Sequence, residues 1–283
     1  ASQASRRFLN ESESKRILKA FHIPCVAEIT AQNSRECLQA ANELGFPLVL
    51  KGLGSNLTHK TERDLVHLNL NSEEELASAC DALVKSGGDD LEGLLVQPQL
   101  SGKREFVAGM FRDPQFGPVI MFGLGGVYTE ALADISFRLA PLSRADALGM
   151  IQDIRSKTLL KRFRNEAPAD MDELIRILTG LSEISCQFAD VAEIDINPLL
   201  ISPQGACTAV DALIVLKDST EDVPPPLKNT PEAINPLFYP KSVVFVGASG
   251  QMGKWGHMLV TNTKSGGYKG DIHLVNPKGG TLV

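Results

Sequence analysis

The stretch AEIDINPLLISPQGACTAVDALIVL, residues 192–216, reads as two strands joined by a turn. Ser202, Pro203, Gln204 and Gly205 carry turn chemistry between two apolar, β-branched runs. Alternation along the first strand puts Glu193, Asp195 and Asn197 on one face and sends Ile194, Ile196 and Leu200 to the other. With a three-residue loop over 203–205 and Gly205 in the left-handed region, the register centres on Gln204 and sets Asn197 opposite Asp211. Two oxygen donors then face one point. A magnesium ion that keeps waters and phosphate oxygens in its octahedron needs no more from a protein. A solvated hairpin face is an equally open reading, because polar faces are common on antiparallel strands and a slip of one residue would carry Asp211 off this face.

On the amino-terminal side, the segment from Glu11 to Phe21 has helical spacing, and HIPCVAEIT over 22–30 follows as a strand. SRECLQAANELG at 34–45 reads as a helix capped by Ser34 and closed by Gly45. FPLVLKGLG supplies a short strand ending at Lys51, and LVHLNL at 65–70 supplies another. SEEELASACDALVKSGG at 72–88 is a helix with Ser72 as cap and Glu75 completing a capping box. These units alternate as in an α/β module. Beyond them LEGLLVQPQL, REFVAGMF, GPVIMFGLG and the hairpin supply strands, and 143–154 and 171–188 supply helices, an α+β pattern. The division reads as subdomains 1–92 and 93–217 of one domain, a Pro-rich linker over 218–237, and a unit from 238 to 283 that spells strand, glycine turn, helix, strand. One βαβ unit has too little core to stand alone, so the chain is expected to be truncated or completed by partner surfaces.

The chain has 283 residues, 43% of them hydrophobic and 22% charged, and a net charge of -6. That composition is globular, and the acidic balance argues against nonspecific nucleic-acid binding. Five scattered cysteines without metal-ligand spacing point to free thiols and a reducing cytoplasm. No run has the length of a membrane span or the build of a signal peptide.

Several residues outside the hairpin suit anion chemistry. Lys51 at a strand end can hold a phosphate as a point charge. His59, beside Lys60, can accept a phosphoryl group. Gly123, Gly125 and Gly126 let backbone amides approach an anion, Glu105 and Glu130 suit ribose hydroxyls or a metal, and Arg138 can neutralise transferring phosphate charge. In GASGQMG, Gly247, Gly250 and Gly253 follow a clean strand and precede a helix, a placement for a nucleotide or coenzyme phosphate. The second strand ends in Asn276 and Pro277 where an NAD site would want an acid. Each feature has a plainer reading as solvated side chain or tight turn.

Taken together these stretches resemble the ADP-forming (NDP-forming) acyl-CoA synthetases, relatives of succinyl-CoA synthetase. Residues 10–217 are similar to their ATP-grasp domain through GFPLVLK, HKTE, LLVQPQL, RDPQFGPVIMFGLGGVYTE, FRLAPL and the AEIDINPLL and VDA pair. Residues 238–278 are similar to the start of their CoA-binding Rossmann-like domain through FYPKSVVFVGAS and GGYKGDIHLVNP. The resemblance implies an ATP-grasp fold of two α+β subdomains followed by a partial Rossmann-like βαβ unit. It implies Asn197 and Asp211 as magnesium ligands, Lys51 on nucleotide phosphate, Gln97 with its neighbouring backbone as adenine hinge, and Glu105, Gly125, Gly126 and Glu130 lining the nucleotide cleft. It implies Arg138 and His59 in phosphoryl transfer, and Gly247, Ser249 and Gly253 at coenzyme A. The family reaction joins a carboxylic acid to CoA, converting ATP to ADP and phosphate through an acyl phosphate and a phosphohistidine, within oligomeric or fused assemblies.

Two departures accompany the match. The family's Gly-Gly pair after the histidine is replaced by Asp64 and Leu65, and an acid there is expected to weaken phosphate binding. The CoA-ligase domain is absent from these residues. A degenerate noncatalytic module that senses nucleotide or acyl-CoA, attached to another activity such as a protein acetyltransferase, is the alternative reading.

Overall fold

The computed structural model describes residues 8–54, 65–126, 133–162, 165–217 and 231–277. Two compact units divide near residue 221.

The first unit holds two antiparallel sheets. Chain order begins with β1 (Phe8–Leu9), α1 (Glu11–Ala20), β2 (Ile29–Ala31), α2 (Ser34–Leu44), β3 (Leu48–Leu53), β4 (Val66–Leu70), α3 (Glu73–Gly87) and β5 (Gly93–Pro98). It continues with β6 (Arg104–Asp113), β7 (Gly117–Leu124), β8 (Ile135–Leu139), α4 (Arg144–Asp153), α5 (Met171–Gln187), β9 (Val191–Ile201), β10 (Cys207–Ala209) and β11 (Ala212–Leu216). The smaller sheet runs β2-β5-β3-β4. Leu48, Leu50, Leu94 and Val96 pack on one side of it against Cys37, Ala40, Leu76 and Leu83 from α2 and α3. The larger sheet runs β1-β11-β9-β6-β7-β8, with β10 also on β9. Its covered face carries Phe106, Ala108, Met110, Ile120, Phe122, Ile194 and Ile196, packed on Leu18 of α1, Met150 of α4, and Leu174, Ile177, Leu178 and Leu181 of α5. Burying each of the larger of these side chains contributes about 1.5–3 kcal/mol.

The expected subdomain boundary at 92/93 is corrected. β5 lies inside the smaller sheet, paired with β2 and β3. Its alternation explains this: Leu94 and Val96 complete the core under α2 and α3, so the turn before it returns the chain to the same sheet. Conversely β1 pairs with β11, and the Ser14 hydroxyl of α1 accepts the Ile214 N–H at 3.1 Å, so the amino-terminal segment belongs to the larger sheet.

Local corrections have similar causes. The strand expected over 22–30 contracts to β2, and Cys25 keeps a single bridge to Ala209. Asn33 rather than Ser34 caps α2, accepting from the Glu36 N–H at 3.0 Å. Ser72 caps α3 as expected, but the Glu75 carboxylate reaches back one residue further, to the Asn71 N–H at 2.7 Å. β3 continues through Lys51 to Leu53, which buries the lysine instead of delivering it to a strand end.

The second unit contains α6 (Pro231–Phe238), β12 (Ser242–Val246), α7 (Trp255–Ser265) and β13 (Asp271–Val275). β12 and β13 pair in parallel, so the expected βαβ unit is present. The expected linker gives up its last residues to α6. Among the described residues no helix is long and apolar enough to cross a membrane.

Candidate active site

The hairpin over 192–216 has the anticipated register. Cys207 faces Ile201 and Ala209 faces Leu199 beyond the gap, while Ala212 faces Ile196 and Leu213 faces Asp195 before it. The same register on both sides carries Asn197 to the level of Asp211. Gly205 has φ 97°, and its N–H donates to the Ser202 carbonyl at 2.9 Å to close the three-residue loop. One detail differs. The register with β6 shifts so that Phe106 meets Leu199 and Ala108 meets Ile196. Leu200 therefore shares the acid face with Glu105, its partner, instead of joining Ile194 and Ile196 in the core.

Parity on β3 decides the fate of Lys51. Leu48 and Leu50 point to the helices, so Lys51 projects to the opposite side, beside Leu95 across the ladder. There its ammonium donates to Glu11 Oε1 at 2.7 Å, to Asp211 Oδ2 at 3.1 Å and to the Val210 carbonyl at 3.4 Å. Burial pulls the lysine pKa down, Glu11 and Asp211 push it up, and the balance lies above its ordinary value. The charge is therefore permanent across the physiological range.

Glu11, which starts α1, is 2% exposed and also accepts from Lys15 at 2.8 Å and from the Gln97 amide at 2.9 Å. Lys15 continues to Glu28 at 3.0 Å. Among the described residues three donors converge on Glu11 Oε1, the arrangement that makes a buried charge tolerable. The Gln97 side chain, 1% exposed, is committed to this network, so its expected place at an adenine hinge is corrected for the side chain. Alternation along β5 explains the inward turn, since the outward positions Leu94 and Val96 belong to the helix-covered core.

On the acid face Glu105, Asp195 and Asn197 share one side of the larger sheet. Burial, then Glu193, then Asp211 push the Asp195 carboxyl up to about 6. Such a cluster favours a cation. Among the described residues no group of three or more His, Cys, Asp or Glu is arranged to hold a metal. Asn197 and Asp211 bring an amide oxygen and a carboxylate to one level of the hairpin, donors of the hard oxygen type that a magnesium ion takes.

The glycine turn after β7 lies over Glu105. The Gly125 N–H donates to the Glu105 carbonyl at 2.9 Å, and a Cβ on Gly125 would stand 2.8 Å from the Phe106 carbonyl oxygen. Gly126 has φ 78°, and a Cβ there would meet the Glu105 carboxylate at 3.1 Å. Glu105, Gly125 and Gly126 are therefore brought together. Arg138 is not brought to them. It stands across from Ile120, a core-facing residue, and forms an ion pair with Asp153 of α4. Strand parity on β8 places it on the opposite face of the larger sheet from Asp195 and Asn197, which corrects its expected role at the transferring phosphate. His59, Glu130 and Asp64 lie outside the described residues.

In the second unit Gly247 and Gly253 have φ 87° and 85°, and the Ser249 hydroxyl accepts from the Gln251 N–H at 3.2 Å. The Asn276 amide braces this turn by donating to the Ala248 carbonyl at 2.8 Å. Gly256, not singled out in the sequence, lets α7 approach, since a Cβ there would sit 2.2 Å from the Gly247 carbonyl oxygen. Glu11 and Lys15 were missed as well. Their i, i+4 spacing was the available signal, but acids in a first helical turn are too common to single one out.

Residues 1–216 match the ATP-grasp domain family. The chain is 36% identical over 219 residues to the β subunit of ADP-forming acetate–CoA ligase I from Pyrococcus furiosus, covering 76% of this chain and 94% of that one. This chain belongs to the ADP-forming acyl-CoA synthetases, in their ATP-grasp part. It is also 36% identical over 275 residues to ADP-forming acetate–CoA ligase II of Archaeoglobus fulgidus, covering 97% of this chain but only 39% of that relative's length. Among solved structures it is similar to a chain of acetyl-coenzyme A synthetase 1 from Ca. Korarchaeum cryptofilum in complex with coenzyme A and Ca-AMPCP. There the TM-score is 0.72 at 37% identity, over 75% of this chain and 95% of that one.

Proposed function

We propose that this chain supplies the nucleotide-binding part of an ADP-forming acid–thiol ligase, acting in the cytoplasm on a carboxylic acid, ATP and CoA. The observation that carries the reading is Lys51 held between Glu11 and Asp211, with Asn197 at the same level of the hairpin. In this reading Lys51 neutralises nucleotide phosphate from a fixed position, and Asn197 and Asp211 orient a magnesium ion. Magnesium, when bound, screens the charge of the transferring phosphoryl group. Glu105 orients the ribose or phosphate side of the cleft, and Gly125 and Gly126 expose backbone amides beside it. His59 relays the phosphoryl group between the nucleotide and a CoA-ligase domain or subunit supplied by an oligomeric or fused assembly. Gly247, Ser249 and Gly253 form the turn for a CoA phosphate. A related structure whose complex holds a nucleotide analogue with a divalent cation supports the nucleotide assignment.

The test is calorimetric titration with ATP and ADP, with and without magnesium, on the wild type, Asp211→Ala and Lys51→Ala. Magnesium-dependent binding abolished by the first substitution and weakened by the second is the expected result. Equal affinity in all three would remove the site assignment. The second reading, a degenerate sensing module, is favoured by Leu65, which fills a family glycine position and is fully buried in the core of the smaller sheet. Absence of nucleotide binding by the chain joined to its ligase partner would select it.

A further inference from the structure

The direct ion pair between Lys51 and Asp211 sets the candidate phosphate ligand against the candidate metal ligand. Lys51 Nζ and Asp211 Oδ2 are 3.1 Å apart, and the carboxylate remains about one third exposed while the lysine is almost wholly buried. An anion approaching Lys51 meets the Asp211 charge, and a cation approaching Asp211 meets the ammonium. Each ligand alone is opposed by the group that the other would occupy.

We propose that this pair is a charge latch that makes divalent cation and nucleotide phosphate bind together and disfavours either alone. The inference rests on the nucleotide-binding reading above and adds a coupling to it. Glu11 makes the exchange possible. It holds the same ammonium at 2.7 Å and is itself fixed by Lys15 and Gln97. When a cation claims Asp211, Lys51 stays in place with a charged partner behind it and its remaining valence turned to phosphate. Because binding free energies are linked, the factor by which the cation tightens nucleotide binding equals the factor by which nucleotide tightens cation binding.

The predicted signature is a gain of binding in a variant that loses a metal ligand. Asp211→Asn keeps the shape and removes the charge at a partly exposed position, and Glu11 still holds the Lys51 ammonium at 2.7 Å. ADP titrated calorimetrically into this variant in EDTA should bind about tenfold more tightly than to the wild type, and saturating magnesium should add little. In the reciprocal arm, Lys51→Gln without nucleotide should bind Mn2+ about tenfold more tightly than the wild type, read by electron paramagnetic resonance of the free ion. A wild type that binds Mg-ADP, together with an Asp211→Asn affinity for metal-free ADP that is unchanged or weaker, overturns the latch and leaves the nucleotide site standing. The latch is likewise overturned if Lys51→Gln gains no Mn2+ affinity. A wild type that binds ADP under neither condition overturns the site and the latch together.

Discussion

The Gln97 side-chain amide stands 2.9 Å from Glu11 Oε1, joining a strand of the smaller sheet to the helix that packs on the larger one. Lys51 and Lys15 share that oxygen, so Glu11 is the common counter-charge of two buried cations. Removing one partner of such a network strands the others. Glu11→Ala is expected to cost about 3–5 kcal/mol, read as a lower urea midpoint. Glu11→Gln retains an acceptor oxygen and should cost less. A neutral effect of Glu11→Ala would mean that the network contributes nothing to holding the two sheets together.

Asp195 gives a pH dependence of defined sign. Its folded pKa is raised from 3.8 to about 6, so the folded state binds the proton more tightly than the unfolded chain. The cost of ionising it in place is fully present above about pH 6 and is relieved as pH falls toward 3.8. In EDTA, Asp195→Asn should stabilise the protein by up to about 3 kcal/mol at pH 8, and the gain should fade towards pH 4. Denaturant melts at the two pH values decide it, and an equal gain at both would sink the electrostatic account.

The hairpin was legible because a three-residue loop and strict alternation fix a register by counting, and the same counting set Asn197 across from Asp211. Arg138 was misassigned although it obeys the same alternation, because its face is set by Ile120 on the neighbouring strand, a pairing outside its own local sequence. Gln97 escaped for a like reason. Its partner Glu11 is 86 residues away, and no local pattern announces that contact. The subdomain boundary was misread because the turn before β5 resembles any loop between domains. Only the core positions of Leu94 and Val96 show which sheet it serves.

Arg112 ties the carboxyl end of α5 to the larger sheet. Its guanidinium donates to the carbonyls of Ser185 at 2.6 Å, Phe188 at 2.7 Å and Val191 at 2.6 Å. A helix end leaves carbonyls without partners, and a forked cation satisfies several at once. Arg112→Ala should lower stability by about 1–3 kcal/mol. Arg112→Lys should recover only part, because an ammonium lacks the fork. Full rescue by lysine in thermal melts would show that charge alone matters.

Gly125 tests whether the turn over Glu105 needs close backbone approach. A Cβ there would press on the Phe106 carbonyl carbon and oxygen, both at 2.8 Å, and on the Glu105 carbonyl carbon at 3.0 Å. All three are backbone atoms inside a paired strand and have no side-chain freedom with which to yield. Gly125→Ala must therefore displace the turn and lose the 2.9 Å bond from its N–H to Glu105. The expected cost is about 1–3 kcal/mol of stability. If the turn also presents amides to phosphate, Mg-ADP affinity should fall at least tenfold, about 1.4 kcal/mol, at temperatures where the variant is still folded. A variant that is less stable but binds Mg-ADP like the wild type would assign the turn to packing and remove it from the nucleotide cleft.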